Sequence, residues 1–291
     1  MNQLFIEESG KQNAESILFL HASGSSSRMW RHHLAALEND FHCIALDLPG
    51  HGASRDTEWT NFDDVAEMIV EIIQNKAHGK PHLVGLSLGG CLILKLLEKH
   101  SDLIGKVIVD GASNKPIKGY CLVITMVYLM SLLKNTKLVA DAMIRMMQKD
   151  GVLKKEYQLF VADLQRASSR SFRRAMSQAN LLKVDASFDN QAFFVSGEKE
   201  STTIHESHQI LSQKNTHSGC AYYPDKGHAW LFSDVTTHIQ LLRYFLQDAA
   251  FPQKLKWFDT KKEATLFNRY QRYANTNKKA TLVSRVALII L

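Results

Sequence analysis

A chain of 291 residues with 45% apolar and 22% charged residues is long enough for a full core and has an ordinary globular makeup. No apolar run reaches the roughly 18 residues that span a bilayer, the N-terminus MNQLFIEESGK lacks a signal peptide's basic start and long apolar run, and four scattered cysteines with no C-x-x-C read as buried thiols, so a cytoplasmic protein is expected. The net charge of +6 suggests nucleic acid only until it is located: Pro252–Leu291 holds nine Lys/Arg and two Asp/Glu, leaving 26 and 27 over Met1–Phe251, a near-neutral body with no nucleic-acid partner expected.

In chain order, Leu4–Glu7 reads as an edge strand and Ser16–Leu20 (SILFL) as a buried strand. That strand runs into His21-Ala22-Ser23-Gly24-Ser25-Ser26-Ser27, a loop of small residues that lets backbone N–H groups approach a ligand. Met29–Leu37 follows as an amphipathic helix and Phe41–Leu46 as a second buried strand. In the turn-rich loop Asp47–Ser54, Asp47 and His51 are catalytic residue types, but the carboxylate is expected to bond turn N–H groups. Phe62, Val65, Ile69, Ile72 and Ile73 set a helix over Phe62–Asn75, capped at Asn61 or Asp63.

The stretch Pro81–Lys99, PHLVGLSLGGCLILKLLEK, carries the strongest chemical signal. His82–Leu86 is a buried strand, and an apolar helix follows Gly85-Leu86-Ser87-Leu88-Gly89 at once. A strand that turns directly into a helix forces a strained, positive-φ bend. Small residues two before and two after let the elements approach closely enough to hold it. This is G-x-S-x-G in strand–turn–helix context, with the Ser87 hydroxyl presented at a helix N-terminus that favours developing negative charge.

Lys106–Val109 is a further strand ending at Asp110. Four alternations of strand and helix predict an α/β fold, a mainly parallel doubly wound sheet with helices on both faces. Ser23, Ser87 and Asp110 all fall at carboxyl ends of predicted strands, where such sheets bind ligands. From Ala112 to Asp189 the alternation stops in favour of helical patterns (Leu122–Leu133, Leu138–Gln148, Leu153–Ala167, Ser171–Leu182), read as an inserted helical lid. Val123, Met126, Val127, Met130, Met143, Met146 and Met147 make it apolar. They either pack the lid onto the core or form an adaptable acyl pocket. Lys115, Lys118, Lys134 and Lys137 flank its most apolar helix, which leaves membrane contact through the lid as a secondary reading, behind a small-molecule partner. Gln191–Ser196 returns to strand and opens into Gly197–Thr202. Ile204–Leu211 is a helix, Cys220–Tyr223 the last strand, Pro224–His228 a loop and Leu231–Leu246 the closing helix. The domain division is thus 1–111 and 190–251 as core, 112–189 as lid, and 252–291 as a basic tail outside the fold.

A serine hydroxyl needs a histidine to take its proton, and the histidine needs a carboxylate to hold its tautomer; the chain offers these in the order serine, acid, histidine. The pieces LFLHASGSSSRMW, ALDLPGHGAS, HLVGLSLGG, VIVDGAS, FFVSGEKE and DKGHAW resemble the α/β-hydrolase superfamily, in its lid-bearing serine esterase and lipase-like branch, over roughly Ser16–Gln247. The resemblance implies Ser87 as nucleophile, His228 as general base and then acid, and the N–H groups of Leu88 and Ser23 as the oxyanion hole. The acid position three residues after the strand-end glycine holds Glu200 where an aspartate is usual. Asp110 is the alternative acid, and Glu198 a third candidate. His21-Ala22 stands where the family usually has His-Gly. The implied activity is hydrolysis of a small-molecule carboxylic ester through an acyl-enzyme, without cofactor or metal. The alternatives are a C–C bond or lactone hydrolase of a small metabolite, or a hydrolase-like small-ligand receptor; oligomeric state is not indicated.

Overall fold

The computed structural model describes residues 4–117, 119–185, 187–215 and 217–258. Lys118 and residues 259–291, the greater part of the expected tail, lie outside them. The elements are β1 (Ile6–Ser9), β2 (Ser16–Leu20), α1 (Arg31–Leu37), β3 (His42–Leu46), α2 (Phe62–Lys76), β4 (His82–Leu86), α3 (Leu88–His100) and β5 (Val107–Asp110). Then come α4 (Tyr120–Leu133), α5 (Lys137–Lys149), α6 (Lys154–Arg166) and α7 (Ser169–Leu181). The chain closes with β6 (Ala192–Gly197), α8 (Thr202–Lys214), β7 (Ser218–Tyr223), α9 (Trp230–Ser233), α10 (Val235–Gln247) and β8 (Lys256–Trp257).

The eight strands form one sheet in the order β1-β3-β2-β4-β5-β6-β7-β8. β2 to β7 are parallel, and β1 and β8 are antiparallel additions at the two edges. Strands buried on both faces read as continuous apolar runs because neither face meets water; β2 and β3 are buried at every position. Alternate residues still separate. Leu18, Leu20, Ile44 and Leu46 face the layer of α2 and α3, while Ile17, Phe19, Cys43 and Ala45 face that of α1 and α10. Helix ends follow the sequence: the Asn61 side chain accepts from Asp64 N–H at 2.9 Å to cap α2, and Asp234 accepts from Thr237 N–H at 3.1 Å to cap α10. That cap divides the single closing helix expected over Leu231–Leu246 into α9 and α10, since an aspartate that bonds the N–H three residues on ends one helix as it begins the next.

The expected boundary at Phe251 falls before the sheet ends. Lys256 and Trp257 pair antiparallel with Tyr222 and Ala221 of β7; Leu255 is buried, Trp257 stacks on Phe251 at 4.7 Å and meets Phe193 edge-on at 5.4 Å. Phe258 lies 4.9 Å from Tyr222. The aromatic residues of this segment thus cover the outer edge of the sheet that the basic composition hides in the sequence.

Between β5 and β6 the regular elements among the described residues are the helices α4–α7, as the loss of alternation predicts. α4 packs on α7 and α5 on α6. The layer is fastened beside the β2 loop by buried Asp163 of α6, which accepts from Ser26 Oγ at 2.6 Å and pairs with Arg28.

Candidate active site

At Ser87 the backbone takes φ 54° and ψ −108°, the strained bend that the motif predicts. The two flanking glycines are required by contact. A Cβ on Gly85 would stand 2.5 Å from the backbone of Gly89, and one on Gly89 2.1 Å from the carbonyl oxygen of Leu20. Ser87 N–H donates to the Asp110 carbonyl at 2.8 Å, which ties the bend to β5. Leu88 opens α3, and the loop after β2 brings Ser23 to a cavity that Ser87 also lines. Among the described residues, neither Leu88 N–H nor Ser23 N–H has a protein acceptor, so both remain available to an oxyanion.

The histidine stands on the loop after β7. His228 Nδ1 lies 2.7 Å from Glu200 Oε1, so the carboxylate accepts the Nδ1 proton and leaves Nε2 as the basic nitrogen. The two loops are stapled: Glu198 N–H donates to Tyr223 O at 2.9 Å, Lys199 N–H to Lys226 O at 2.8 Å, and Asp225 N–H to Glu198 Oε2 at 2.7 Å. Glu198 is therefore engaged in holding the turn. Gly111 has φ +57°, and a Cβ there would come within 2.8 Å of His228 Cε1 and 3.0 Å of Glu200 Oε1. Its role as the floor under this pair has no sequence signal beyond a glycine after a strand.

Asp110 lies elsewhere in the network. It is buried, accepts from Trp230 Nε1 at 3.1 Å and faces His238 Nε2 at 3.9 Å. Burial, with Glu200 nearby, pushes its carboxyl well above the usual carboxylate range despite the Trp230 hydrogen bond. Glu200 is 5% exposed at its side chain and His228 46%. Burial pushes the Glu200 carboxyl upward, but the facing imidazole outweighs it and the net shift is downward. The Glu200 charge raises His228 from 6.5 to about 9, against the effect of burial.

Ser87 and His228 share a cavity of about 160 Å³. Met130 of α4, Met143, Met146 and Met147 of α5 and Phe160 of α6 are among the side chains that enclose it. The lining has no lysine, arginine, aspartate or glutamate. A larger cavity of about 460 Å³ lies between β1 and α2, away from Ser87; it gathers no nucleophile–histidine pair. Asp47 behaves as expected, accepting from Ser27 N–H at 2.7 Å and Ala53 N–H at 2.6 Å. His21 accepts from Leu48 N–H at 2.9 Å and bonds the Ala22 carbonyl at 2.7 Å. It braces the Ser23 loop, a role that its residue type alone does not show.

Residues 17–236 match the model of the alpha/beta hydrolase family. A putative 2-succinyl-6-hydroxy-2,4-cyclohexadiene-1-carboxylate synthase of Haemophilus influenzae is 40% identical over 103 residues, 34% of this chain and 41% of that protein. The 3-oxoadipate enol-lactonase 1 of Acinetobacter baylyi is 31% identical over 93 residues, 32% of this chain and 35% of that protein. The chain thus spans about two fifths or less of the length of these two relatives. Among solved structures, MenH from S. aureus superposes with a TM-score of 0.71 at 17% identity, over 85% of this chain and 99% of that one. The enol-lactonase from Burkholderia xenovorans LB400 gives 0.71 at 17% identity, over 84% and 96%. At such identities these two likenesses are of fold. With the family model covering three quarters of its length, the chain belongs to the alpha/beta hydrolase family.

Proposed function

We propose that the protein is a serine hydrolase of small apolar esters. Ser87 attacks the carbonyl carbon and its proton passes to His228 Nε2. Glu200, accepting from Nδ1–H, holds that tautomer and stabilises the imidazolium. The carbonyl oxygen becomes an oxyanion facing the N–H groups of Leu88 and Ser23. Collapse expels the alcohol, protonated by His228, and leaves an acyl-enzyme. Water activated by the same imidazole then attacks, the oxyanion collapses again, and the acid departs as Ser87 recovers its proton. The observation that carries this reading is the 2.7 Å His228–Glu200 bond at the mouth of the cavity that Ser87 lines.

Cavity chemistry supports an apolar acyl group under a lid formed by α4–α7. The first relative's name specifies a carboxylate, and another relative, from Vibrio cholerae, is named as a pimeloyl-[acyl-carrier protein] methyl ester esterase. A free carboxylate placed in this lining would find no cationic side chain apart from His228 itself; a neutral ester has no charge to desolvate and loses far less there. The enol-lactonase relative keeps lactone opening as a second reading of the same attack.

A fluorophosphonate probe should label one residue, Ser87, with loss of labelling in Ser87→Ala and near loss in His228→Ala, and the protein should turn over a p-nitrophenyl ester. Labelling without ester turnover but with lactone opening transfers the reading to the second substrate class. Absence of labelling in a folded protein removes Ser87 as nucleophile.

A further inference from the structure

Helix α4 is apolar all round, and its sequence, YCLVITMVYLMSLL, reads as a helix to be buried. Only part of it is. Val127 and Ser131 are buried and Met130 reaches the cavity. Among the described residues, Leu122, Met126, Leu129 and Leu133, spaced i, i+4, i+7, i+11 along one stripe, are 42–66% exposed. Leu132 beside them is 58% exposed, and Leu138 at the start of α5 extends the face at 70%. Thr125 is the single polar residue on this stripe. A continuous apolar face of this kind on a monomer marks a contact surface.

Charge distribution indicates the chemistry of the contact. The near-neutral body divides sharply: residues 112–189 hold thirteen Lys/Arg and six Asp/Glu, whereas 1–111 with 190–251 hold thirteen and twenty-one. The helical layer therefore carries a surplus of seven positive charges on a core with a deficit of eight. Beside α4, Arg173 of α7 lies 5.3 Å from the Tyr128 ring centroid. Neither Arg173 nor Lys137 forms an ion pair among the described residues. Two copies of this layer facing each other would bring like charges together, while an anionic surface would meet both features at once.

We propose that the exposed face of α4 docks on a phospholipid bilayer rich in anionic headgroups. The helix lies in the interfacial plane, Leu122, Met126, Leu129 and Leu133 enter the boundary of headgroup and acyl chain, and Arg173 and Lys137 meet lipid phosphates. At 14 residues it is about 21 Å long, and no described helix is long and apolar enough to cross the bilayer. Because Met130 of the same helix lines the cavity, docking sets the candidate active site one helix away from the lipid. The surface itself stands whether or not Ser87 is the nucleophile, and an apolar ester dissolved in the bilayer is the substrate supply that joins the two readings.

The test is flotation of the full chain with phosphatidylcholine vesicles, with and without about one third phosphatidylglycerol. A second readout uses a polarity-sensitive dye on Cys121, the exposed cysteine in the first turn of α4, the other three being buried. Wild type should bind the anionic vesicles, release in high salt, and shift the dye to shorter wavelength. The double substitution Met126→Glu/Leu129→Glu should weaken vesicle partitioning about tenfold or more and leave turnover of a soluble ester unchanged. Ser87→Ala should bind vesicles as wild type does, which separates failure of docking from failure of the hydrolase reading. Three results overturn the proposal: no binding to either vesicle; binding that the double variant retains, which would place the contact elsewhere in the chain; or a self-associated wild type that the double variant converts to monomer, which would make the occupant a second copy.

Discussion

Replacing Glu200 by Gln removes the one charge that touches the imidazole and leaves a group of nearly the same size. In the native arrangement Glu200 Oε1 is 2.7 Å from His228 Nδ1 and is the leading cause that lifts His228 from 6.5 to about 9. The imidazole works as a base only when neutral, so hydrolysis by the native protein should increase with pH across the window from 6.5 to about 9. Half-exposure of the His228 ring lets water screen the pair, which places the observed inflection inside that window rather than at its top. In Glu200→Gln the inflection should fall back toward 6.5, the ordinary histidine value. The limiting rate on the alkaline side should also drop by about a thousandfold or more, because an amide can donate to Nδ1 and select the tautomer whose Nε2 already holds a proton. Asp110→Asn is the control. That carboxyl is pushed well above the usual range by burial and bonds Trp230, so its amide should move the inflection little and cost less than about tenfold. The measurement is kcat/KM for a p-nitrophenyl ester from about pH 5.5 to pH 10 on the three proteins. An unmoved inflection in Glu200→Gln together with a displaced one in Asp110→Asn would refute the assignment of the acid.

Activity should climb with acyl length from acetyl esters, by up to about fourfold per buried methylene, until the methionine-lined cavity is full; a flat profile in kcat/KM would detach α4–α7 from substrate binding. A chain ending at Phe251 should be less stable to urea than one ending at Phe258 by about 2 kcal/mol or more, since it loses buried Leu255 and the Trp257 stack. Asp163→Ala should cost about 1–3 kcal/mol of stability by stranding Ser26 and Arg28, with a loss in kcat because the Ser23 loop shares that anchor.

The parts of this molecule that short stretches of chain determine by themselves were legible from composition and spacing. The elbow is one: Gly85 and Gly89 are required by backbone contacts within a few residues and by Leu20 in the neighbouring strand. The parallel strands are another, because burial on both faces leaves a continuous apolar signature. Glu200 and Asp110 could not be separated by spacing, since both follow strand ends; the difference lies in where β6 and β7 place their loops and in Trp230 reaching Asp110. β8 left no trace because two residues have no period, and its aromatics sit in a basic stretch. The exposure of α4 was hidden for the opposite reason: an apolar helix reads as buried, and nothing local states which side will lack a cover. The opposed charges of the helical layer and the core cancelled in the sum over Met1–Phe251, so the total concealed a division that needs the element boundaries to be seen.

The wall of the cavity also determines how the protein meets oxidants. Five of its nine methionines, Met130, Met143, Met146, Met147 and Met176, line that one cavity. The buried thiols Cys43 and Cys91 offer little competition, for burial pushes both up to about 12 and keeps them protonated. Peroxide that enters the cavity would convert thioethers to sulfoxides, turning a deformable apolar surface into a polar one while the serine, histidine and glutamate remain chemically intact. The lesion would raise KM before it lowered stability, and methionine sulfoxide reductases could reverse it. On the proposed reading, adaptability toward varied acyl shapes and sensitivity to oxidation would be one property of the same five sulfur atoms.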